Sequence, residues 1–159
     1  MSRGPQAVNL FDLGAGSDLP DGVRAFRLLL AAAQQLRTRM DARLRADDLT
    51  TQQAAVLTAV SALEAPSVSD IAAAIGSTRQ NVTQLVNALV RKGMLRVDDD
   101  PADSRRRVLT TTRISEDYWK HRDADDFAAV AGWFGMLDED ELRGLCGSLE
   151  RVVGQSASP

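Results

Sequence analysis

The sequence predicts a mainly α-helical chain with a single small β-hairpin. Three observations carry this. Apolar residues recur at steps of three and four through most of the chain, the period of one helix face. Two capped helical segments meet at a tight turn containing Gly76. Two short runs rich in β-branched residues flank the turn-forming stretch Asp98-Asp99-Asp100-Pro101-Ala102-Asp103-Ser104-Arg105.

The elements follow in order. Residues 1–20 are rich in Gly, Asp, Pro and Ser without sustained periodicity, and read as a flexible arm. From Val23 to about Arg45, Leu29, Ala33, Leu36, Met40 and Leu44 line one side of a long helix. Thr50 or Thr51 caps the next helix, which buries Val56, Leu57, Val60 and Leu63. Ser67 or Ser69 caps a short helix, Asp70 to Ile75, which Gly76 ends. Thr78 caps a fourth helix whose apolar stripe is Val82, Leu85, Val86, Leu89 and Val90, and Gly93 ends it. Leu95 to Val97 and Arg107 to Thr112 are the two strands. A further helix runs from Glu116 to about Phe134, with Phe127, Val130, Ala131 and Phe134 on one face. Asp138 and Glu141 have capping-box spacing and open a last helix with the stripe Leu142, Leu145, Cys146, Leu149, Val152 and Val153. The tail from Gly154 to Pro159 reads as loose.

Composition removes several functions. A chain of 159 residues with 44% hydrophobic and 26% charged residues suits one globular domain, or a small module with an accessory element. No apolar run approaches a membrane span, and the first 20 residues lack the apolar stretch of a signal peptide, so the cytoplasm is the expected compartment. One cysteine excludes an internal disulfide or a cysteine-based zinc cluster, and one histidine excludes most histidine metal sites. No metal or cofactor is expected. With no GxSxG or P-loop spacing, no enzymatic site is expected either.

The net charge of −3 is unevenly spread. Between Pro66 and Arg113 eight basic residues face five acidic ones, a local +3; the remainder holds eleven basic and seventeen acidic, or −6. A basic module between acidic flanks points towards nucleic acid. The order of elements in that module, a short helix, a tight turn, a capped amphipathic helix and a hairpin, describes a winged helix-turn-helix. Opposite the apolar stripe of the fourth helix stand Arg79, Gln80, Asn81, Thr83, Gln84, Asn87 and Arg91, with Thr78 at the cap. Arginine pairs with guanine, and asparagine or glutamine with adenine, in two-bond geometry. None of these positions is acidic, so nothing on that face repels phosphate. Arg105, Arg106 and Arg107 cluster in the hairpin, where an arginine enters a minor groove, and Asp103 is placed to hold the Arg105 guanidinium. Thr51, Ser67 and Ser69, at helix starts, are candidate phosphate contacts. The run Asp98-Asp99-Asp100 must point away from phosphate or pair with arginines.

These residues resemble the MarR-type winged-helix transcriptional regulators. The likeness rests on Asp100-Pro101-Ala102-Asp103-Ser104-Arg105 followed by Leu109-Thr110, on Asp70-Ile71-Ala72 through Gly76, and on Thr78 through Val86 leading to Leu89 and Lys92-Gly93. The starts Thr50-Thr51-Gln52-Gln53 and Leu137-Asp138-Glu139 also fit. The resemblance covers roughly Val23 to Val153. It implies a homodimer in which residues 21–48 and 114–154 form the dimerisation helices and residues 49–113 the DNA-binding lobe. It implies recognition helices in successive major grooves of a pseudo-palindromic operator, half-sites about 34–36 Å apart, and Arg105 in the flanking minor groove. It further implies a repressor relieved by a small aromatic or anionic ligand bound between dimer layer and lobe. The chain departs from the family pattern at Ser104, where members commonly carry a second basic residue, and at Thr111-Thr112-Arg113-Ile114-Ser115, where an apolar residue, Thr, acidic residues and Gly are usual.

Candidate sensors are few. Tyr118 and Trp119 suit an aromatic ligand but also ordinary packing. His121 lies in a charged stretch and reads as a solvated helix face. Cys146, on the apolar stripe, reads as a small buried hydrophobe, whereas a redox sensor needs an exposed thiolate beside a cation. The competing function is a winged-helix module that binds protein rather than DNA, favoured by the acidic flanks and the low pI.

Overall fold

The computed structural model describes residues 19–103 and 105–156; all but the last two residues of the expected arm lie outside these. The described elements are α1 (Asp21–Leu44), a single 3-10 turn (Arg45–Asp47), α2 (Thr51–Ala62), α3 (Val68–Ala74), α4 (Arg79–Arg91), β1 (Leu95–Asp99), β2 (Arg107–Thr111), α5 (Arg113–Trp133) and α6 (Glu139–Ser156). The chain is mainly helical with one antiparallel hairpin, as expected. It divides into two compact units between Thr111 and Thr112.

In the first unit, local chemistry sets the helix ends. The Thr50 hydroxyl accepts from the Gln53 amide while Gln53 Oε1 accepts from the Thr50 amide, a reciprocal cap that selects Thr50 over Thr51. Ser67 and Asp70 make the same box at α3, selecting Ser67 over Ser69. Thr78 caps α4 through the Asn81 amide. Each such cap contributes about 1 kcal/mol. Gly76 ends α3 with φ +62°, a left-handed conformation that other residues adopt only with strain.

The buried apolar residues of the described chain all lie between Leu44 and Leu109. Leu44, Leu57, Ile71, Val82, Leu89 and Leu95 are sealed from solvent, and Val108 and Leu109 close the hairpin onto them. At about 1.5–3 kcal/mol per buried large aliphatic side chain, this core is what holds α2, α3, α4 and the hairpin as one lobe. The hairpin register pairs Leu95 with Thr111 and Asp99 with Arg107. The Leu109 amide also donates to the Pro66 carbonyl at 2.8 Å, which joins β2 to the α2–α3 connection.

Two residues expected in the core are outside it. Leu63 is exposed because α2 ends at Ala62 and Leu63 is extended, off the helical stripe. Val90 is exposed because one step past Leu89 is a rotation of about 100°, which carries it out of the core. The stripe of α1 is buried only at its C-terminal end. Phe26, Leu28, Leu29 and Leu30 are exposed.

In the second unit, Thr112 caps α5 through the Ser115 amide. The helix therefore starts at Arg113 rather than Glu116, and β2 stops at Thr111. Asp138 and Glu141 form the expected reciprocal box at the start of α6, each at 2.9 Å. α6 continues to Ser156, so residues 154–156 are helical rather than loose. Cys146 is exposed, contrary to the expected burial, and Phe127, Val152 and Val153 on the predicted stripes are exposed as well. No described helix is long and apolar enough to cross a membrane.

Candidate nucleic-acid interface

The polar face of α4 is set by its anchor. Val82, Val86 and Leu89 are buried, so positions about half a turn away point to solvent. Arg79, Gln80, Thr83, Gln84, Asn87 and Arg91 are all exposed. No acid lies on α4. Thr83 donates its hydroxyl to the Arg79 carbonyl at 2.8 Å, leaving its oxygen as an acceptor. Asn81 differs from its neighbours. It is half-buried, on the flank of the helix, and its Nδ2 donates to the Ser77 hydroxyl at 2.9 Å. Asn81 also lines a cleft of about 230 Å³ with Arg37, Thr51, Gln52, Ser77 and Leu85.

The hairpin loop is tied by its own carboxylates. Asp100 Oδ1 accepts from the Ala102 amide at 2.8 Å, and Asp103 Oδ1 accepts from the Arg105 amide at 3.0 Å. Asp103 thus holds the backbone at Arg105, not the guanidinium as expected, because it reaches the nearer amide two residues on. Arg105 itself is exposed. The other two arginines of the cluster are engaged. Arg107 pairs with Asp99, its cross-strand partner, at 3.1 Å. Arg106 pairs with Asp70 at 3.0 Å and Asp100 at 3.1 Å. Asp98 meets Arg96 at 3.4 Å and accepts from the Thr110 hydroxyl at 3.1 Å. The acidic run is therefore matched residue by residue with arginines, which removes its objection to an anionic partner.

Of the three candidate phosphate contacts, Ser69 is exposed. The Ser67 hydroxyl donates to Asp70 at 2.8 Å while serving as the α3 cap. The Thr51 hydroxyl donates to Asp41 at 2.7 Å, and the Thr51 amide to the same oxygen at 2.6 Å. Those two protons are used within the chain. The Thr51 hydroxyl, then its amide, hold the Asp41 carboxyl below the usual range. The Ser67 amide, then its hydroxyl, then Arg106 do the same for Asp70. Asp70 in turn makes the Arg106 guanidinium hold its proton more tightly.

Sequence reasoning missed Arg37, Gln52 and Ser77 around the cleft. Gln52 and Ser77 adjoin residues already singled out, but nothing local marks Arg37, which reaches the cleft from another helix. Tyr118 and Trp119 are half-buried and meet edge to face at 5.0 Å. The Arg122 guanidinium lies 5.6 Å from the Tyr118 ring centroid and is held by Asp126 at 3.1 Å, so one face of that ring already has a cation.

This lobe has recognisable relatives. Residues 47–106 match the family model of the MarR family. Over this stretch the chain is similar to the MarR family. The match covers α2 through the hairpin loop, the part built on the buried core. The chain also has a curated relative in the transcriptional activatory protein BadR of Rhodopseudomonas palustris. The two are 35% identical over 100 residues, 61% of this chain and 57% of BadR, so the chain spans somewhat over half of that protein. Solved structures share the winged-helix fold at low identity. The S. aureus MepR–DNA complex has a TM-score of 0.71 at 21% identity, covering 80% of this chain and 95% of MepR. Bordetella bronchiseptica BpsR has a TM-score of 0.73 at 23% identity, covering 82% of this chain and 98% of BpsR.

Proposed function

We propose that this chain is a homodimeric, sequence-specific DNA-binding transcriptional regulator whose operator binding responds to a small aromatic or anionic ligand. The observation that carries the reading is the exposed face of α4: five amide or guanidinium side chains, Arg79, Gln80, Gln84, Asn87 and Arg91, stand opposite the buried Val82, Val86 and Leu89 with no acid among them. Such a helix enters a major groove and reads base edges by two-bond contacts. Arg105, exposed at the loop of the wing, is the cation offered to the flanking minor groove. MepR was solved as a DNA complex, and BpsR is described with regulation of its DNA binding by 6-hydroxynicotinic acid. Both support a regulator over a protein-binding module, as does the pairing of Asp98, Asp99 and Asp100 with arginines.

A second copy of the chain supplies the missing cover for the apolar side chains that α1 and α6 leave in water, among them Phe26, Leu28, Val152 and Val153. Tyr118 and Trp119 are the candidate ligand-facing aromatics.

The test is selection of bound genomic fragments, then affinity measured against salt concentration. A dimer that neutralises several phosphates binds its own fragment far more tightly than unrelated DNA, and its affinity falls steeply with salt. Failure to bind any fragment, the chain's own promoter included, would refute the reading.

A further inference from the structure

The wing is fastened to the helix-turn-helix at two places. Midway along β2 the Leu109 amide donates to the Pro66 carbonyl at 2.8 Å. Towards its loop the Arg106 guanidinium reaches back to the start of α3. Its Nη2 donates to the Asp70 carboxylate at 3.0 Å and to the Ala65 carbonyl at 3.3 Å, and its Nη1 donates to Asp100 at 3.1 Å. Asp70 is also the residue that closes the α3 cap with Ser67. The guanidinium fork therefore joins three points: the helix cap, the α2–α3 connection and the wing loop.

Buried Leu95, Val108 and Leu109 hold the strands, but these contacts alone would leave the exposed loop beyond them free to rock. The Arg106 attachment, further out, removes that freedom. Arg106 also sits inside the turn that presents Arg105. The Arg106 amide donates to the Asp103 carbonyl at 2.9 Å, and the Arg105 amide is held by the Asp103 side chain. With carboxylates on both of its terminal nitrogens, Arg106 offers no excess positive charge to a phosphate. Lysine could not replace it, because a single ammonium lacks the planar fork that serves several acceptors at once.

Resting on the reading of the chain as a DNA-binding regulator, we infer that Arg106 is a positioning residue: it clamps the wing to the N-terminus of α3 and so aims Arg105 at DNA without touching DNA itself.

The experiment uses the full chain and its own selected fragment, followed by fluorescence anisotropy over a salt series. The variants are Arg105→Ala, Arg106→Ala, Arg106→Lys and the double Arg105→Ala/Arg106→Ala, each checked for folding by a thermal melt. Arg106→Ala and Arg106→Lys should weaken binding alike, by about tenfold, the size of one good specific contact. The double variant should bind no more weakly than Arg105→Ala, because a clamp has nothing left to aim. Arg106→Lys, which keeps the charge and the stem, carries the test if Arg106→Ala does not fold. Wild-type affinity in Arg106→Lys, with a shallower salt dependence in Arg106→Ala, would make Arg106 a direct phosphate contact and overturn the inference. So would losses that multiply in the double variant, or an Arg105→Ala variant that binds like the wild type. A wild-type chain that binds no DNA would instead remove the functional reading beneath it.

Discussion

Asp41 ties α1 to the start of α2, and its replacement should cost a defined amount of stability. One carboxylate oxygen accepts two bonds, from the Thr51 amide at 2.6 Å and the Thr51 hydroxyl at 2.7 Å. A hydrogen bond to a charged group contributes about 1.5–3 kcal/mol when well shielded and less where water competes. This pair is half-buried, so about 1 kcal/mol per bond is the fitting figure. Asp41→Ala loses both bonds, about 2 kcal/mol; Asp41→Asn keeps a neutral acceptor and loses about 1 kcal/mol. With a urea dependence of about 2 kcal/mol/M, the midpoints at pH 7 should fall by about 1 M and about 0.5 M. The pH dependence has a definite sign. The Asp41 carboxyl is held below its usual range by the Thr51 hydroxyl and amide. Its contribution is therefore complete above the unfolded value of about 3.9 and fades as pH falls through the lower folded value. The gap between wild type and Asp41→Asn should stay constant from about pH 7 to pH 5 and narrow below about pH 4. Midpoints within about 0.2 M of wild type for both variants, or a gap that widens in acid, would refute the reasoning.

Other outcomes follow from the same geometry. Gln84→Ala should relax base preference at one operator position and lose about 1–3 kcal/mol there, whereas Asn81→Ala, already bonded to Ser77 on the flank of α4, should lose less and show no single-position effect; systematic base substitution in a competition assay checks the order, and the reverse order would sink it. Gly76→Ala should cost about 1–2 kcal/mol from the left-handed backbone alone, since a Cβ there meets nothing within 4 Å; an unchanged melting temperature would contradict this.

Features that depend on residues within one helical turn were legible in the sequence. The cap at Thr78, the box of Asp138 with Glu141 and the break at Gly76 are interactions across three or four positions. So is the acid-free face of α4, because the stripe of Val82, Val86 and Leu89 dictates which side chains must face water. Short-range choices stayed open where two neighbours had equal chemistry, and one strand end was misplaced. Thr50 and Thr51 differ only in which one meets Gln53, and Thr112 took the α5 cap that the β-branched pattern had assigned to a strand.

By itself, then, the sequence determined the winged helix-turn-helix, the acid-free polar face of α4 and the local +3 of the central module, since these follow from periodicity, capping and residue type. Only the tertiary structure decided how the arginines divide. Arg105, Arg106 and Arg107 are equivalent in composition, yet Arg107 meets Asp99 across the hairpin, Arg106 meets Asp70 from 36 positions away, and Arg105 faces solvent. It also decided that Thr51 spends its hydroxyl on Asp41 and that Asn81 turns towards Ser77. The physical reason is common to all of these. The partner of a charged or polar side chain is set by which elements the core brings side by side, and that packing has no signature in the spacing of nearby residues.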